Sequence, residues 1–119
     1  MKIYCISIYN ENYSFFESNN LTPVGVGVNK FSNKWLNDKG GENISSKNDN
    51  FGEYTFHYNL WKNKLLDHNS NWIGFCTYRR FWTQKNYETP KKLSDLANII
   101  LKEVPNEWQE YDVVLPESL

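Results

Sequence analysis

The sequence predicts an α/β fold in which crossover helices connect the strands of a parallel, Rossmann-like sheet. Residues 2–9 and 72–76 are nearly continuous runs of apolar residues, which is typical of strands covered on both faces. Segments with helical periodicity follow the strands, so that strands and helices alternate along the chain. This alternation indicates a parallel sheet with right-handed crossover connections.

The first third of the chain contains one clear strand and one ambiguous segment. Residues 2–9 are rich in β-branched and aromatic side chains, and the polar residues 10–20 are predicted to form a loop. Residues 21–28 are apolar but contain a proline and two glycines, so both an edge strand and an extended loop fit them. They do not form a dinucleotide-binding fingerprint, because Lys30 stands where the third glycine is required.

The clearest helical pattern covers residues 51–66, after a polar loop over residues 37–50. Large apolar side chains recur there at the spacing of one helix face, namely at Phe51, Tyr54, Tyr58, Trp61 and Leu65. Asn50 is the candidate N-cap, and Glu53 stands three residues later, as in a capping box. The pattern predicts an amphipathic helix that begins next to this cap.

A strand, a helix and a strand complete the predicted order. Residues 72–76 predict the second buried strand, and residues 93–104 predict a second amphipathic helix, capped by Ser94 and ended by Pro105. A last strand is predicted over residues 111–116. Open α/β domains normally continue beyond such a strand, so we expect a truncated sheet whose edge would permit dimerisation.

Length and charge limit the classes of protein to consider. The 119 residues fit a single domain, residues 1–119, and 13 basic and 14 acidic residues nearly cancel. Without a basic block, the chain is not predicted to bind nucleic acid or an anionic membrane surface. It has neither a signal peptide nor an apolar run of the roughly 20 residues that span a membrane. We therefore expect a cytoplasmic protein with no transmembrane segment.

The two cysteines, Cys5 and Cys76, both fall within predicted strands. Their spacing is not that of a metal site. We interpret them as small buried side chains in a reducing compartment, with a disulfide or a redox role as the alternative.

Two adjacent arginines, Arg79 and Arg80, follow the second predicted strand within the segment CTYRRFW. Guanidinium groups are rarely buried without a partner, and two neighbouring ones repel each other. The pair is therefore either a solvated strand end or half of an anion site. Ligands of open α/β sheets bind outside the carboxyl ends of the strands, which is where this segment is predicted to lie.

The loop before the helix at residues 51–66 enters the helix from the same side of the sheet. Lys47, Asn48 and the free N–H groups of the helix are therefore expected to face Arg79 and Arg80. Together they would form an anion site for a phosphate or a diphosphate. Simpler interpretations stay open: Lys47 as a solvated side chain, and Asn43 and Asn48 as turn or capping residues. On an extended strand, only one of the two arginines could point into the site.

Three further side chains near this site have alternative roles. Glu53 is either a helix cap or a catalytic carboxylate, and Tyr78 either covers the end of the sheet or stacks on a ligand. His57, one helical turn after Glu53, is interpreted as a surface residue rather than as an acid/base partner. The sequence contains no G-x-S-x-G, P-loop, paired-histidine or D-x-D motif. We therefore predict no metal site, and basic residues would have to neutralise a diphosphate.

In combination these residues resemble a bacterial family that is catalogued as a domain of unknown function. The family pattern is G-(D or E)-N-I-S-x-K-N, an aromatic residue with a glutamate two positions later, then W-K-N, then an apolar strand ending in H-Y-R-R. The matching residues are Gly41, Asn43, Ile44, Ser45, Lys47, Asn48, Phe51, Glu53, Trp61, Lys62, Asn63, Tyr78, Arg79 and Arg80. Thr77 departs from the pattern, because the family usually has histidine there.

The resemblance implies a reaction class. The family occurs in capsular and exopolysaccharide biosynthesis loci and is regarded as glycosyltransferase-A-like. This chain would then be the N-terminal portion of an enzyme that transfers a sugar from a nucleotide-sugar to a glycan acceptor. The catalytic carboxylate would be Glu53, and neither a cofactor nor a divalent metal would be required. The residues assigned to donor binding are Asn43, Lys47, Asn48, Tyr78, Arg79 and Arg80.

A function from another class is the alternative. The chain would then be a non-catalytic module whose aromatic surface binds a glycan or a partner protein. Thr77 and the expected truncation favour this alternative, since both take away parts that an active transferase would need. Nucleotide binding without transfer is a third option, with the same anion site.

Overall fold

The computed structural model describes residues 1–83 and 89–117. Within these ranges four strands form one all-parallel sheet in the order β3-β2-β1-β4, which confirms the α/β class. The strands are β1 (Lys2–Ser7), β2 (Leu21–Gly25), β3 (Leu36–Asn37) and β4 (Ile73–Thr77). The helices are α1 (Tyr13–Ser18), α2 (Asn48–Phe51), α3 (Tyr54–Lys62) and α4 (Leu93–Leu96), with single 3-10 turns at Ser45–Lys47 and Asn106–Trp108. No helix in these ranges is both long and apolar enough to cross a membrane.

The sheet has a core on each face, because successive side chains of a strand point to opposite sides. β1 is buried along nearly its whole length, as its continuous apolar sequence predicted. The core on the side of α1 consists of Ile3, Cys5, Phe16, Leu21, Trp35, Cys76 and Ile100. The core on the side of α3 consists of Tyr4, Ile6, Val24, Val26, Phe56 and Leu60.

The strand order reverses at β1. From β1 the chain passes through α1 to β2 and then to β3, on one side of β1. It then returns through α2 and α3 to β4, which pairs with the other side of β1. The crevice outside the carboxyl ends of β1 and β4 is therefore the position at which α/β sheets of this kind bind ligands.

Cys5 and Cys76 are neighbours across β1 and β4, where they are paired in register. Both are buried free thiols, as the interpretation of small buried side chains requires. The hydrogen bond with Cys76, followed by burial, raises the pKa of the Cys5 thiol far above its ordinary value. Cys5 is therefore a protonated core side chain.

The helix predicted over residues 51–66 is interrupted at Gly52. Gly52 has a φ of 54° and ends α2, and α3 begins at Tyr54. The predicted Asn50 cap and capping box are therefore wrong. Glu53 itself is the N-cap residue of α3, and its side chain makes no capping hydrogen bond.

The buried face of α3 also differs from the predicted one. The buried side chains of this helix are Thr55, Phe56, Asn59 and Leu60. Thr55 and Asn59 can be buried because each donates to a backbone carbonyl, of Gly52 at 3.1 Å and of Gly40 at 2.6 Å, respectively. The exposed residues of the predicted face are Phe51, Tyr54, Trp61 and Leu65. Counting apolar positions alone misplaced the core-facing side.

Two segments outside the central helix also differ from prediction. The predicted loop at residues 10–20 contains α1, whose Phe16 is buried in the core. The predicted helix at residues 93–104 is reduced to the single turn α4. Lys92 is the N-cap of that turn, and no capping hydrogen bond from Ser94 is formed.

The predicted last strand, residues 111–116, is wrong: these residues form no strand, and Tyr111, Val113 and Leu115 are exposed. The outer edge of β4 is already occupied. The Trp82 indole donates to the Phe75 carbonyl at 2.9 Å, and a chain turn after β4 pairs with its last residue.

Candidate functional site

A cavity of about 340 Å³ lies at the point where the strand order reverses. We call it the arginine cavity. Its lining comes from the ends of β1, β2 and β4 and from the junction of α2 and α3. The lining residues are Ile6, Ser7, Ile8, Val26, Asn48, Gly52, Glu53, Thr77, Tyr78, Arg79 and Arg80.

Five of the seven residues that the sequence assigned to a site line this cavity. They are Asn48, Glu53, Tyr78, Arg79 and Arg80. They come from two segments that are far apart in the chain and meet because β4 and the α2–α3 junction both border β1. Asn43 and Lys47 are not among the lining residues.

The two arginines enter the cavity together because the chain turns directly after β4. Thr77 and Arg80 exchange backbone hydrogen bonds of 3.1 Å, which closes a tight turn through Tyr78 and Arg79. The prediction that only one guanidinium could face the site assumed an extended strand, whereas both arginines belong to this turn and line the cavity. Neither guanidinium forms an ion pair with any residue that the structure describes.

Tyr78 is held in place from several directions. Its backbone N–H donates to the Ile6 carbonyl at 3.0 Å, which fixes the turn to the end of β1. Its ring meets the Tyr9 ring edge-on, with centroids 5.2 Å apart, and the Arg79 guanidinium lies 5.2 Å from its centroid. Tyr78 thus positions one of the two cations of the cavity.

Asn48 closes the opposite wall through a small polar network, which we call the Asn48 clip. The Asn48 amide donates to the Gly52 carbonyl at 2.9 Å and to Thr55 Oγ1 at 3.2 Å. The buried Thr55 hydroxyl donates to the same carbonyl. Both amide hydrogens of Asn48 are therefore used within the protein, and only its side-chain oxygen is left for a ligand.

The other two predicted ligands have ordinary roles in their loop. The Asn43 amide donates to the Lys39 and Gly41 carbonyls at 3.0 Å, and its side-chain oxygen accepts from Ser45 Oγ at 2.9 Å. Asn43 is therefore a turn residue, one of the alternatives that the sequence left open. Lys47 is exposed at the end of a 3-10 turn, next to the cavity in the chain but outside its lining.

Two of the N–H groups at the start of α3 are not free donors. The Thr55 N–H donates to the Gly52 carbonyl at 3.2 Å, and the Phe56 N–H donates to the Glu53 carbonyl at 3.1 Å. These bonds form because the chain bends at Gly52 and folds back on the helix start. The Thr55 and Phe56 N–H groups are therefore not available to an anion in the cavity.

Glu53 is the single acidic side chain among the lining residues that the structure describes. His57 is not paired with its carboxylate: His57 Nδ1 lies 3.0 Å from the Glu53 backbone carbonyl. The imidazole instead packs on Phe75, with ring centroids 4.2 Å apart. The interpretation of His57 as something other than an acid/base partner fits this geometry.

Sequence reasoning missed the part of the lining that comes from β1 and β2. Ser7 is buried at the end of β1, where its hydroxyl donates to the Tyr9 carbonyl at 2.8 Å. Ile6, Ile8 and Val26 complete this part of the lining, and Gly52 and Thr77 were also not assigned to the site. The signal was present in the sequence. Ligands of parallel sheets bind at the carboxyl ends of the strands, and Ser7 stands at that end of β1.

One buried acid lies outside this site. Asp38, directly after β3, is fully buried, and neither of its carboxylate oxygens has a hydrogen-bond partner. Such burial is unfavourable, and nothing in the structure explains it. Among the described residues, no three His, Cys, Asp or Glu side chains come together as a metal-binding group.

The fold and the cavity define an α/β domain with a polar crevice at the switch point of its sheet. The family model for Domain of unknown function (DUF4422) matches residues 2–119, and the chain belongs to this family. No curated protein and no solved structure matches the chain significantly.

Proposed function

We propose that the arginine cavity binds a nucleotide-activated sugar and that the domain acts as a glycosyltransferase in surface polysaccharide biosynthesis. The observation that carries this proposal is the meeting of Arg79, Arg80 and Tyr78 at the switch point of a parallel sheet. Two guanidiniums without an ion-pair partner among the described residues suit a ligand with two negative charges. The sequence resemblance to a glycosyltransferase-A-like family supports the reaction class.

The roles follow from the positions of the side chains. Arg79 and Arg80 hold the diphosphate and stabilise the charge that builds up on the departing nucleotide. Tyr78 offers an aromatic surface for the base or the sugar. Glu53, on the opposite wall, contacts a sugar hydroxyl or accepts the acceptor's proton. We place this activity in the cytoplasm, with a glycan as acceptor.

The proposal assigns Asn48 a shaping role. Its clip holds the Gly52 turn against the cavity, and its free side-chain oxygen faces the end of β2 near Gly27. Lys47 acts from outside the lining, as a mobile cation that adds to the attraction of an anionic donor.

Ligand-detected NMR with UDP-, GDP-, CMP- and dTDP-sugars, with and without Mn²⁺, tests the proposal. Wild type is compared with an Arg79→Ala, Arg80→Ala double variant. Each charged hydrogen bond contributes about 1.5–3 kcal/mol, so we expect at least a hundredfold loss of affinity for the preferred nucleotide-sugar. Phosphorus NMR of the same samples, with candidate acceptors added, reports release of the nucleoside diphosphate.

The matched control is a Lys91→Ala, Lys92→Ala variant. It removes two exposed positive charges from a segment that does not line the cavity. We expect this variant to bind like wild type, because the proposed effect depends on position and not on net charge. Equal losses in both double variants, or no binding by folded wild type, would contradict the proposal.

A non-catalytic binding module is the second candidate, and the outer face of the α2–α3 region favours it. Phe51, Tyr54 and Trp61 are 48%, 64% and 68% exposed there. Aromatic side chains on a surface suit a glycan or a protein partner. Glycan or protein binding that a Trp61→Ala variant abolishes, with no nucleotide-sugar binding by wild type, would favour this function.

A further inference from the structure

A second cavity, of about 380 Å³, lies toward the amino end of the sheet, beside β4. We call it the tryptophan cavity, because Trp72, Trp82 and Trp108 all line it. Ile3 of β1 lines this cavity and Ser7 of the same strand lines the arginine cavity. Four residues of strand separate them, which corresponds to roughly 13 Å. The two cavities are therefore separate sites.

We propose that the tryptophan cavity binds a sugar ring of a glycan. The proposal goes beyond the transfer reaction and does not depend on it. The indoles supply apolar faces for the C–H face of a pyranose, and polar side chains stand around them for the hydroxyls. A volume of 380 Å³ is within the range of small-molecule sites.

The three indoles form one aromatic wall. Trp108 packs against Trp72 and Trp82, with ring centroids 6.1 and 5.9 Å apart. Trp82 is fixed by its hydrogen bond to the Phe75 carbonyl at 2.9 Å. All three indoles are half-buried, so they are anchored in the domain and still have accessible surface.

The polar part of the lining is free to bind. Asn71, Gln109 and Asp112 are exposed, and their side chains have no hydrogen-bond partner among the described residues. Amide and carboxylate groups are suited to hydroxyls, which both donate and accept. A purely apolar ligand would leave these groups without partners.

Gly74 leaves the floor of the cavity open. It lies inside β4, where glycine often marks a close approach of a ligand. A Cβ atom placed on Gly74 would lie 3.3 Å from Ile3 Cγ1, so a larger residue there would press on the neighbouring strand at this side of the cavity.

Other occupants fit less well. Among the described residues, no Lys, Arg or His side chain lines the cavity, and Asp112 does, which disfavours an anionic donor. A peptide strand would need the outer edge of β4, where the Phe75 carbonyl is already bonded to Trp82. A quaternary ammonium group is the remaining competitor, since aromatic rings and a carboxylate also suit a cation.

Saturation-transfer NMR and tryptophan fluorescence with methyl glycosides of glucose, galactose and N-acetylglucosamine, and with their oligosaccharides, test the proposal. Choline is the competing probe. Trp108→Ala should weaken binding of the preferred glycan by about tenfold, and Gln109→Ala by about threefold. Gln109 is exposed, so its variant keeps the test valid if Trp108→Ala does not fold.

Val28→Ala is the control, because it shortens an exposed apolar side chain that does not line the cavity. We expect it, and the Arg79→Ala, Arg80→Ala variant, to bind the glycan like wild type. Absence of glycan binding by wild type, binding unchanged by Gln109→Ala, or saturable binding of choline alone would overturn the proposal. If no nucleotide-sugar binds at the arginine cavity, the glycan-binding result at the tryptophan cavity still stands. The two proposals can therefore fail separately.

Discussion

The arginine cavity and the tryptophan cavity are of similar size, and they lie toward opposite ends of the same sheet. Their chemistry is opposite. One is lined by two arginines and a glutamate and is shaped by hydrogen bonds of a polar turn. The other is lined by three indoles and shaped by aromatic packing. The comparison shows how one parallel sheet can present a cationic crevice at one end and an aromatic crevice toward the other.

The difference has a structural cause in β4. The carboxyl end of β4 continues into a tight turn that brings two cations to the strand-order switch. After that turn, Trp82 folds back and covers the outer edge of the same strand. A single short segment, CTYRRFW, therefore supplies side chains to both cavities.

The largest effect that we expect is a loss of folding stability when the hydrogen bonds of the Asn48 clip are removed. Asn48→Ala removes two hydrogen bonds, and at about 1 kcal/mol each the free energy of unfolding should fall by about 2 kcal/mol. Chemical denaturation measures this loss. Nucleotide-sugar binding should weaken as well, while glycan binding at the tryptophan cavity should stay unchanged in the folded protein.

Asn50→Ala is the control for this prediction. Asn50 is exposed, two residues away, and has no hydrogen bond to a described residue. Its variant should unfold like wild type. If the two variants lose equal stability, the clip is not what shapes the arginine cavity.

The sequence predicted the carboxyl-end cavity better than the helix beside it. The arginine pair could be placed because strand ends in parallel sheets converge on one edge, and this rule needs only the strand positions. The buried face of α3 could not be placed, because Thr55 and Asn59 are buried through bonds to carbonyls of distant or turn residues. A count of apolar positions contains no information about such partners.

The tryptophan cavity was not predicted at all. It depends on residues from the chain's beginning, from β4 and from residues 101–114, which the sequence read as helix and strand. The expected last strand has alternating and apolar residues, but a strand also needs a free neighbouring edge. The edge of β4 is taken by Trp82, which no local pattern could indicate.

A smaller effect is expected from salt. Raising sodium chloride from about 0.02 M to about 0.5 M should weaken nucleotide-sugar binding at the arginine cavity by about tenfold, because added ions screen the exposed guanidiniums. Glycan binding at the tryptophan cavity should change by less than about twofold, since none of the described residues that line it carries a cationic side chain. Isothermal titration with each ligand measures both. Equal salt dependence of ligand binding at the two sites would contradict the proposed difference in charge between the two cavities.

The smallest effect that we expect is a pH-dependent loss of folding stability, which arises in the sheet that both cavities share. Burial and the bond with Cys76 raise the pKa of Cys5 above its ordinary 9.0, so the folded state keeps the thiol protonated. The stability that depends on this proton is fully present below pH 9.0 and is lost as pH rises toward the folded pKa. From about pH 8 to about pH 9.5 the loss should be on the order of 1 kcal/mol. Cys5→Ala should lose correspondingly less over this range, measured by urea denaturation at each pH. Parallel losses in both proteins would mean that Cys5 titrates alike when folded and unfolded.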